Sequence, residues 1–558
     1  MCGLLGRLRI TGDGATRRPL RRGLPRLGRR GPDGCRDWTS PDGALEFLHA
    51  RLGIVDRSAA ADQPLWSESL QTCVMFVGEI YNYRELRAEY GDYPYLTDSD
   101  TEVILAVYAK DGPRGLGRLR GMFTIAIADL RARQLILCRD GIGKKPLYVA
   151  RWGGDLYFGS SVIALRATYG GPVAIAPTAV HDYWLYGYIP PDRSAISDCA
   201  PIQPGSIVAI DLDTGRTDIH RLEMPAVEVP ETLADAEAQL DRLFRRAVER
   251  RLDNNPHPTA LLSGGIDSTV VVDALAGLCR QRELPLHVLT LGSLIPLTND
   301  ERYARYAARK IGVDLEVVRL GSQSIGEAAV EALDHQDEPL AMLSFLPLYR
   351  LVKAAAERSR ILIGGDGGDE VFLGYGQAAD WVQPGSLVFR GKTYGQPAPP
   401  TWMSAYGWRA ATTDLIGHGF TKVDRASAEQ GVEMRAPLLD SDLVAFARTL
   451  PRNIILAGGD PKVLLNRRLE GWPDWFVRRR KMGFAYNLRW AWMPSNFSGL
   501  REAIADTATA HFEPWLPMAF RKPAATWARR DIMANFPLVW LLLSWSRFEQ
   551  RLGEAEAA

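Results

Sequence analysis

The spacing of apolar residues changes near residue 232, and this change constrains the fold more than any other feature of the chain. Up to about residue 212 the sequence is dense in short strand-like runs separated by Gly, Pro and Asp turns, with fewer helical patterns, notably at 84–90 and 101–109. Such a pattern predicts stacked antiparallel sheets with helices outside them. The strand-like runs are Leu4–Ile10, Gln71–Val77, Met122–Asp129, Gln134–Cys138, Asp155–Phe158 and Ser206–Ile210.

From residue 232 onward, predicted strands alternate with predicted helices, which is the pattern of a parallel α/β sheet. A long amphipathic helix at 231–252 precedes an apolar strand, Thr259–Leu262. The next predicted elements are a helix from Thr269, a strand at 287–291, a helix at 301–311 and strands at 315–319 and 360–363.

The two patterns predict two domains joined by a linker. The chain of 558 residues is long enough for two cores of ordinary size. Residues 213–231 carry turn residues and then Pro225 and Pro230, which is typical of a connection. We therefore predict one domain at 1–212, a linker at 213–231 and a second domain at 232–558.

The composition excludes several classes of protein. Lys and Arg total 67 and Asp and Glu total 66, so the net charge of +1 argues against a nucleic-acid partner. The six cysteines are scattered without a CxxC pair, which predicts a reducing, cytoplasmic compartment. Near the C-terminal end, the apolar run Pro537–Leu543 is far shorter than the ~20 residues that span a bilayer. No membrane segment is predicted.

Cys2 directly follows the initiator Met1. Removal of that methionine, which a small second side chain permits, would leave one residue with both a thiol and a free α-amine. The amine has a pKa of roughly 7.7–8.0, so part of it is an unprotonated base near neutral pH. A thiol with its own base is the arrangement used by N-terminal nucleophiles in acyl transfer. Cys2 is therefore the candidate nucleophile.

The segment LSGGIDST leaves a predicted strand and opens a predicted helix, where unpaired N–H groups and the helix dipole favour an anion. Its two glycines permit close approach of a ligand, and Asp267 is the candidate ligand for a magnesium ion between phosphates. A plain strand-to-helix turn is the alternative, but SGGxDS is the pattern of pyrophosphate-loop ATPases, which form acyl-adenylates. The candidate ATP-binding residues here are Leu262, Ser263, Gly264, Gly265, Asp267, Ser268 and Thr269.

A second glycine-rich segment, GGDGGDE at 364–370, also follows a predicted strand. Ligands of parallel sheets bind at the carboxyl ends of the strands, so both segments are expected to face one crevice. Asp369 is a second candidate magnesium ligand, and Asp366 is a candidate to order the AMP or acyl end. Lys462 is a candidate cation for the negative charge that develops when ammonia attacks an adenylate.

Together these motifs resemble the glutamine-hydrolysing asparagine synthetases of the bacterial B type, in the class II glutamine amidotransferase and asparagine synthase family. The resemblance implies a two-domain α/β fold. Its first part is an N-terminal αββα N-terminal-nucleophile (Ntn) glutaminase sandwich, and its second is a C-terminal α/β pyrophosphate-loop adenylation domain, with an internal ammonia tunnel between them. The matching segments are MCGLLG, RRGPDG, HARLGIVD, GEIYN, SDTE, GMFTIAIAD, RDGIGKKPLY, SGGIDST, GGDGGDEVFLGYG, VDRASAEQGVEMRAPLLD and RRKMGF.

The resemblance also implies roles for individual residues. Cys2 would take the glutamine acyl group, Gly78 would offer an N–H to the oxyanion, and Lys462 would act on the adenylate. Arg51 would pair with the glutamine α-carboxylate in a bidentate fork, while Glu79 and Asp100 would hold the α-ammonium. The backbone at Ile54 and Val55 would complete that pocket, and Leu262, Leu291, Gly364 and Gly365 would contact ATP.

The sequence departs from the family pattern at several positions. Val77 replaces an asparagine whose amide is half of the oxyanion hole, and loss of one such donor typically costs ~10²–10³ in rate. Either the glutaminase is slow, or another donor substitutes. Ser161 stands where an acid is usual, Gly364 replaces a usual Ser, and the stretch 337–344 lacks a later acid. These last two changes leave the acceptor acid open.

The expected function is glutamine-dependent, ATP-dependent amidation of a carboxylic acid. The first expectation is L-aspartate converted to L-asparagine through β-aspartyl-AMP, with release of glutamate, AMP and pyrophosphate. An amidotransferase of a biosynthetic cluster acting on another acid is one alternative, and a catalytically defective regulatory paralogue is another. The resemblance further implies Mg²⁺ as a cofactor and a homodimer.

Overall fold

The computed structural model describes residues 1–10, 17–292, 300–319, 325–372, 374, 387–389, 392–394, 415–417, 419–459, 462–479, 503–504 and 506–557. Most of the predicted RRKMGF segment and of the stretch 375–410 lie outside these residues. The strands are β1 Gly3–Leu8, β2 Gly34–Thr39, β3 Leu45–Arg51, β4 Leu65–Ser67, β5 Thr72–Ile80, β6 Gly121–Asp129, β7 Gln134–Arg139, β8 Tyr148–Trp152, β9 Asp155–Gly159, β10 Cys199–Pro201, β11 Ser206–Asp211, β12 Thr217–Arg221, β13 Thr259–Leu261, β14 His287–Gly292, β15 Leu315–Arg319, β16 Ile361–Ile363, β17 Leu387–Phe389, β18 Lys392–Tyr394 and β19 Glu433–Arg435.

The helices of the described residues follow in chain order. They are α1 Leu24–Leu27, α2 Tyr83–Glu89, α3 Asp100–Gly115, α4 Val162–Thr168, α5 Pro177–Tyr186, α6 Leu233–Leu252, α7 Ile266–Gln281, α8 Asp300–Ile311, α9 Ile325–Asp334, α10 Phe345–Ala356, α11 Gly368–Val371, α12 Thr421–Ala428, α13 Ser441–Thr449, α14 Arg452–Ile455, α15 Val463–Arg467, α16 Asp474–Val477, α17 Asp506–Phe512, α18 Arg529–Ala534 and α19 Phe536–Ala557. No helix among them is both long and apolar enough to cross a membrane.

Two six-stranded antiparallel sheets stack face to face in the N-terminal part, with orders β10-β8-β9-β1-β3-β2 and β12-β11-β7-β6-β5-β4. The alternating apolar residues of both sheets, among them Leu4, Phe47 and Val77, meet in a core between them. Helices α2 and α3 cover the outer face of the second sheet, and α1 and α4 cover that of the first. The predicted sandwich of two sheets with helices outside is confirmed.

The C-terminal part contains a five-stranded parallel sheet with the order β15-β14-β13-β16-β19. Helix α6 begins with a capping box in which the Thr232 and Asp235 side chains accept from each other's backbone N–H groups. The helix α7 starts at Ile266, three residues earlier than its apolar pattern predicts. The predicted parallel α/β domain is confirmed.

Strand β12 lies within 213–231, the range that the sequence predicts as linker. It pairs with β11 along five residues, so the first domain's sheet extends past residue 212. Its residues are mostly exposed and polar, and Ile219 is 64% exposed. An edge strand of this kind lacks the apolar alternation by which strands are recognised in sequence.

Buried charges join the two domains. Asp442 of α13 accepts from Arg120 of the first domain at 3.0 Å and from Arg246 and Arg250 of α6 at 2.7 and 3.2 Å. Arg30 pairs with Asp424 at 2.9 Å, and both are almost fully buried. These contacts take charge out of water on both sides, so the removal of one partner leaves buried charge with less compensation.

Replacement of Asp442 by Ala is expected to lower the free energy of unfolding by about 2 kcal/mol, because Arg120, Arg246 and Arg250 would lose the carboxylate that they share, although Arg250 keeps its ion pair with Glu85. Asp98→Ala is the matched control, since the Asp98 side chain is 94% exposed; its effect should stay below about 0.5 kcal/mol. Thermal or urea unfolding of the two variants measures the difference, and equal losses would contradict the interface role of Asp442.

Candidate active sites

A first cavity lies at one edge of the sheet sandwich, and it brings together all seven residues predicted to act on glutamine. Strand register explains the convergence. Because Gly3 pairs with Ala50, Cys2 lies beside the end of β3. The predicted residues that line the cavity are Cys2, Arg51, Ile54, Val55, Gly78, Glu79 and Asp100.

The Cys2 thiol is held by backbone groups just after β3. The Leu52 N–H donates to Cys2 Sγ at 3.2 Å, and Sγ lies 3.6 Å from the Leu52 carbonyl oxygen. Arg30 Nε donates to the Cys2 carbonyl at 3.3 Å. Burial raises the pKa of the Cys2 thiol. A thiol in this position therefore needs a nearby base before it can attack an acyl group.

The chain's amine lies in the same cavity. Met1 is 2% exposed, its sulfur contacts the Lys145 ammonium, and burial lowers the pKa of its amine to about 5. An amine buried here is largely unprotonated at neutral pH. Removal of Met1 would transfer the free amine to Cys2 itself, next to the thiol.

Two acids at the far end of the cavity form a site for a cation. Glu79 is on β5, and Asp100 is the first residue of α3, where its carboxylate accepts from the Ile80 N–H at 3.0 Å. Burial raises the pKa of Asp100 to about 7 and raises that of Glu79 well above its ordinary range, against the opposing charge of Arg435. A substrate ammonium between the two carboxylates would offset this cost of burial.

Sequence reasoning missed Gln63 and Glu433, which also line this cavity. The Gln63 amide donates to Thr101 and accepts from the Phe76 N–H at 2.6 Å, so it ties β5 to α3. Glu433 belongs to β19 of the second domain. Gln63 belongs to none of the matching segments, and Glu433 lies in the segment VDRASAEQGVEMRAPLLD without a role of its own, because each residue reaches the cavity only through the tertiary fold.

Val77 occupies the position where the family pattern has an amide. It is fully buried and packs in the cluster between the sheets, against which Cys2 also packs. The next residue, Gly78, has φ +145°, and a Cβ there would lie 1.8 Å from the Met122 carbonyl oxygen. The backbone at this point therefore requires glycine, while the neighbouring side chain offers no donor.

Val77→Asn is expected to raise the glutaminase turnover number by about tenfold or more, because an oxyanion-hole amide is typically worth ~10²–10³ in rate. Val77→Leu, whose branched side chain has the shape of asparagine without its amide, serves as the control. Steady-state glutamate release measures both. An unchanged or lower rate in folded Val77→Asn would mean that another group already fills this role.

A second cavity of about 1780 Å³ opens at the carboxyl ends of β13, β14 and β16. It exceeds the ~300–1,000 Å³ of a typical small-molecule pocket, so a nucleotide and a second substrate fit together. Most residues predicted to bind ATP line it, whereas Gly264 and Thr269 do not. The predicted residues at the wall are Leu262, Ser263, Gly265, Asp267, Ser268, Leu291, Gly364, Gly365, Asp366, Asp369 and Lys462.

The hydroxyl groups of Ser263 and Ser268 hold the loop between β13 and α7 in shape. Ser263 Oγ lies 3.0 Å from Ser268 Oγ and accepts from the Gly265 N–H at 3.3 Å. Gly265 is the N-cap of α7, whose first N–H groups have no helical partners. A Cβ at Gly365 would lie 2.5 Å from the Ser268 nitrogen, so the second glycine-rich segment packs directly on this loop.

Lys462 lies between the two predicted magnesium ligands. Its Nζ is 2.6 Å from Asp267 and 2.5 Å from Asp369. Two carboxylates that converge on one cation suit Mg²⁺, which is often bound by one or two carboxylates together with substrate phosphates and water. Within the described ranges, no group of three or more His, Cys, Asp or Glu residues is arranged to hold a metal ion. The donor set fits a phosphate-bridging ion rather than a fully protein-bound one.

Arg479 is a further cation at the second cavity, to which the sequence motifs gave no individual role. It lies 3.6 Å from Asp300 and over the Tyr303 ring at 4.1 Å. One of its nitrogens is 3.7 Å from the place of a Cβ on Gly265. Arg479 is the first residue of the RRKMGF segment. The motif therefore marked the residue but did not show that its side chain lies at the second cavity.

The acids Asp337 and Glu338 hold the two domains together. Asp337 accepts from Ser161 Oγ at 2.6 Å and from the first N–H groups of α4. Glu338 accepts from Tyr148 and Ser194. The following residues Ala341–Ser344 line the second cavity together with Leu348 and Met434. This part of the wall is largely apolar.

Comparisons with known proteins match both halves of the chain. Residues 1–221 match the glutamine amidotransferase domain and residues 239–530 match asparagine synthase. The chain is 27% identical over 526 residues to asparagine synthetase B (glutamine-hydrolyzing) of Escherichia coli, covering 91% of this chain and 86% of that one. It is 24% identical over 551 residues to asparagine synthetase (glutamine-hydrolyzing) 1 of Bacillus subtilis, covering 86% and 85%. A solved glutamine phosphoribosylpyrophosphate amidotransferase from B. subtilis aligns with a TM-score of 0.30 at 14% identity, covering 57% of this chain and 81% of that one.

Proposed function

The chain belongs to the asparagine synthase family, and from that premise we propose that it uses glutamine and ATP to convert L-aspartate to L-asparagine. The products are glutamate, AMP and pyrophosphate, and the intermediate is β-aspartyl-AMP. The observation that carries the proposal is the convergence of a thiol, an arginine and two acids in one cavity. The other cavity contains the glycine-rich loop at 263–269, which has the pattern of a phosphate-binding loop. We further propose that the enzyme acts as a homodimer in the cytoplasm.

In the first cavity, Cys2 attacks the side-chain amide carbon of glutamine. The α-amine of Cys2 accepts the thiol proton and returns it to the leaving nitrogen, so ammonia departs and a γ-glutamyl thioester remains. Water then releases glutamate and regenerates the thiol. Arg51 pairs with the substrate α-carboxylate, and Glu79 and Asp100 pair with its α-ammonium. The Gly78 N–H donates to the oxyanion.

In the second cavity, the loop at 263–269 and the N-terminus of α7 bind the ATP phosphates. A carboxylate oxygen of the acceptor attacks the α-phosphorus, and pyrophosphate leaves. Arg479, close to Gly265, pairs with the charge of the departing pyrophosphate. When bound, Mg²⁺ held by Asp267 and Asp369 would neutralise phosphate charge. Lys462 stabilises the negative charge that forms as ammonia displaces AMP.

Cys2→Ala is expected to abolish glutamine-dependent synthesis, because none of the other described residues that line the first cavity carries a thiol. Synthesis from ammonium salts should continue, since the second cavity is intact. Cys35→Ala is the matched control, as Cys35 is another partly exposed free cysteine. Product formation from each nitrogen source is measured. Glutamine use that survives in Cys2→Ala would show that the thiol assignment is wrong.

A second candidate is an amide ligase that acts on a different carboxylic acid. It is favoured by the apolar wall at Ala341, Met342, Leu343 and Leu348 and by the absence of a side chain at Gly364. An acceptor with an apolar substituent would bury surface there that aspartate cannot.

Pyrophosphate release against a panel of carboxylic acids separates these functions. Release with aspartate alone supports asparagine synthesis, and release with a less polar acid supports the second candidate. Release with none, in a chain that binds ATP, would point to a catalytically defective regulatory paralogue and contradict both ligase proposals.

A further inference from the structure

Strand β19 separates the two cavities, although it has only three residues. Glu433 lines the first cavity and Met434 lines the second. This follows from the alternation of side chains along a strand. The third residue, Arg435, is fully buried, and its side chain is on the same face as that of Glu433. The second domain thus sends two charged side chains toward the glutamine cavity.

The Arg435 guanidinium contacts two acids, Glu433 of the same strand and Glu79 of β5 in the first domain. It forms an ion pair with Glu79 at 3.1 Å and donates from Nε to Glu433 at 2.7 Å. Its Nη1 donates to the carbonyl oxygens of Arg251 and Asp253 at 2.9 and 3.0 Å. Hydrogen bonds from Nε and Nη1 therefore orient the planar fork within the second domain, and Nη2 meets Glu79 as an ion pair.

The backbone of Arg435 is anchored in the parallel sheet. Its carbonyl oxygen accepts from the Gly364 N–H at 3.0 Å, and Glu433 N–H donates to the Arg360 carbonyl at 2.7 Å. Arg435 pairs in register with Ile363 of β16. The sheet therefore fixes the backbone position from which the guanidinium reaches Glu79.

Three buried carboxylates lie close together at this end of the first cavity, which explains why a positive charge is needed beside them. Glu79, Asp100 and Glu433 are all buried at one end of the cavity, and burial penalises each carboxylate. Arg435 opposes the rise in the pKa of Glu79, whereas Glu433 and Asp100 add to it. The other titratable or charged groups that face this cluster are Cys2, the chain's amine, Tyr81, Lys144, Lys145 and Arg251.

We propose that Arg435 is a positioning residue for glutamine, which acts through Glu79. Its guanidinium holds the Glu79 carboxylate at the cavity wall, where that carboxylate pairs with the α-ammonium of the substrate. The glutamine site is thereby completed by a residue of the synthetase sheet. The inference rests on the proposed function of the first cavity.

Two variants of the full chain test this assignment by opposite changes in the pH dependence of KM for glutamine. Arg435→Met removes the positive charge, so the pKa of Glu79 rises and less of it is ionised at neutral pH. KM should increase about tenfold where the assay pH lies one pH unit below that pKa, and it should recover as pH rises. Glu433→Gln removes a negative charge close to Glu79, so the pKa of Glu79 falls. The pH profile of KM for glutamine should therefore move toward lower pH. The turnover number should change less than KM in both variants.

Arg166→Met is the control for loss of a buried arginine. Arg166 is 1% exposed and donates to the Tyr169 carbonyl in the outer layer of the first domain, away from both cavities. This variant should lose stability without moving the pH profile. If Arg435→Met does not fold, Arg435→Lys keeps the charge but cannot contact Glu79, Glu433 and two carbonyls at once. Its KM should lie above that of the wild type.

The outcomes are distinguishable. Opposite displacements of the pH profile in Arg435→Met and Glu433→Gln support the positioning role. Displacements in the same direction, or unchanged profiles in folded variants, would overturn it while leaving the glutaminase assignment intact. A wild-type chain that hydrolyses no glutamine at any pH would overturn the proposed function, and the role of Arg435 with it.

Discussion

The structure depends on charges that are buried between its two domains. The pairs Glu79–Arg435 and Arg30–Asp424, together with the carboxylate of Glu338, lie out of water, where an unpaired charge costs several kcal/mol. Glu79, Arg30 and Asp424 form these ion pairs only when the two domains dock in one arrangement. The same docking places the wall of the glutamine cavity. The first active site is therefore complete only when the domain interface has formed correctly.

The second active site depends on a different constraint, the direction of the strands. All five strands of the C-terminal sheet are parallel, so the loops after β13, β14 and β16 open at one edge. Two of these loops are rich in glycine, which allows their backbones to pack against each other at Gly365 and Ser268. The acids that they carry then converge on Lys462 without any contribution from the first domain.

Local patterns in the sequence predicted both architectures and brought Cys2, the SGGIDST loop and the GGDGGDE segment to attention. They could not predict β12, because Thr217–Arg221 is an exposed polar edge. They also missed Glu433 and Arg435. A three-residue strand with a charge at either end has no apolar signature, and its contacts join residues more than three hundred positions apart. Asp337 and Glu338 illustrate the same limit, since their partners Ser161 and Tyr148 lie in another domain.

The proposed thioester chemistry requires a free amine on the residue that carries the thiol. The most direct measurement is the intact mass of the enzyme, taken while it turns over glutamine and after rapid acid quenching. We expect a chain that begins at Cys2 and carries a γ-glutamyl adduct on that residue. Active, glutamine-hydrolysing enzyme that still carries Met1 would contradict it.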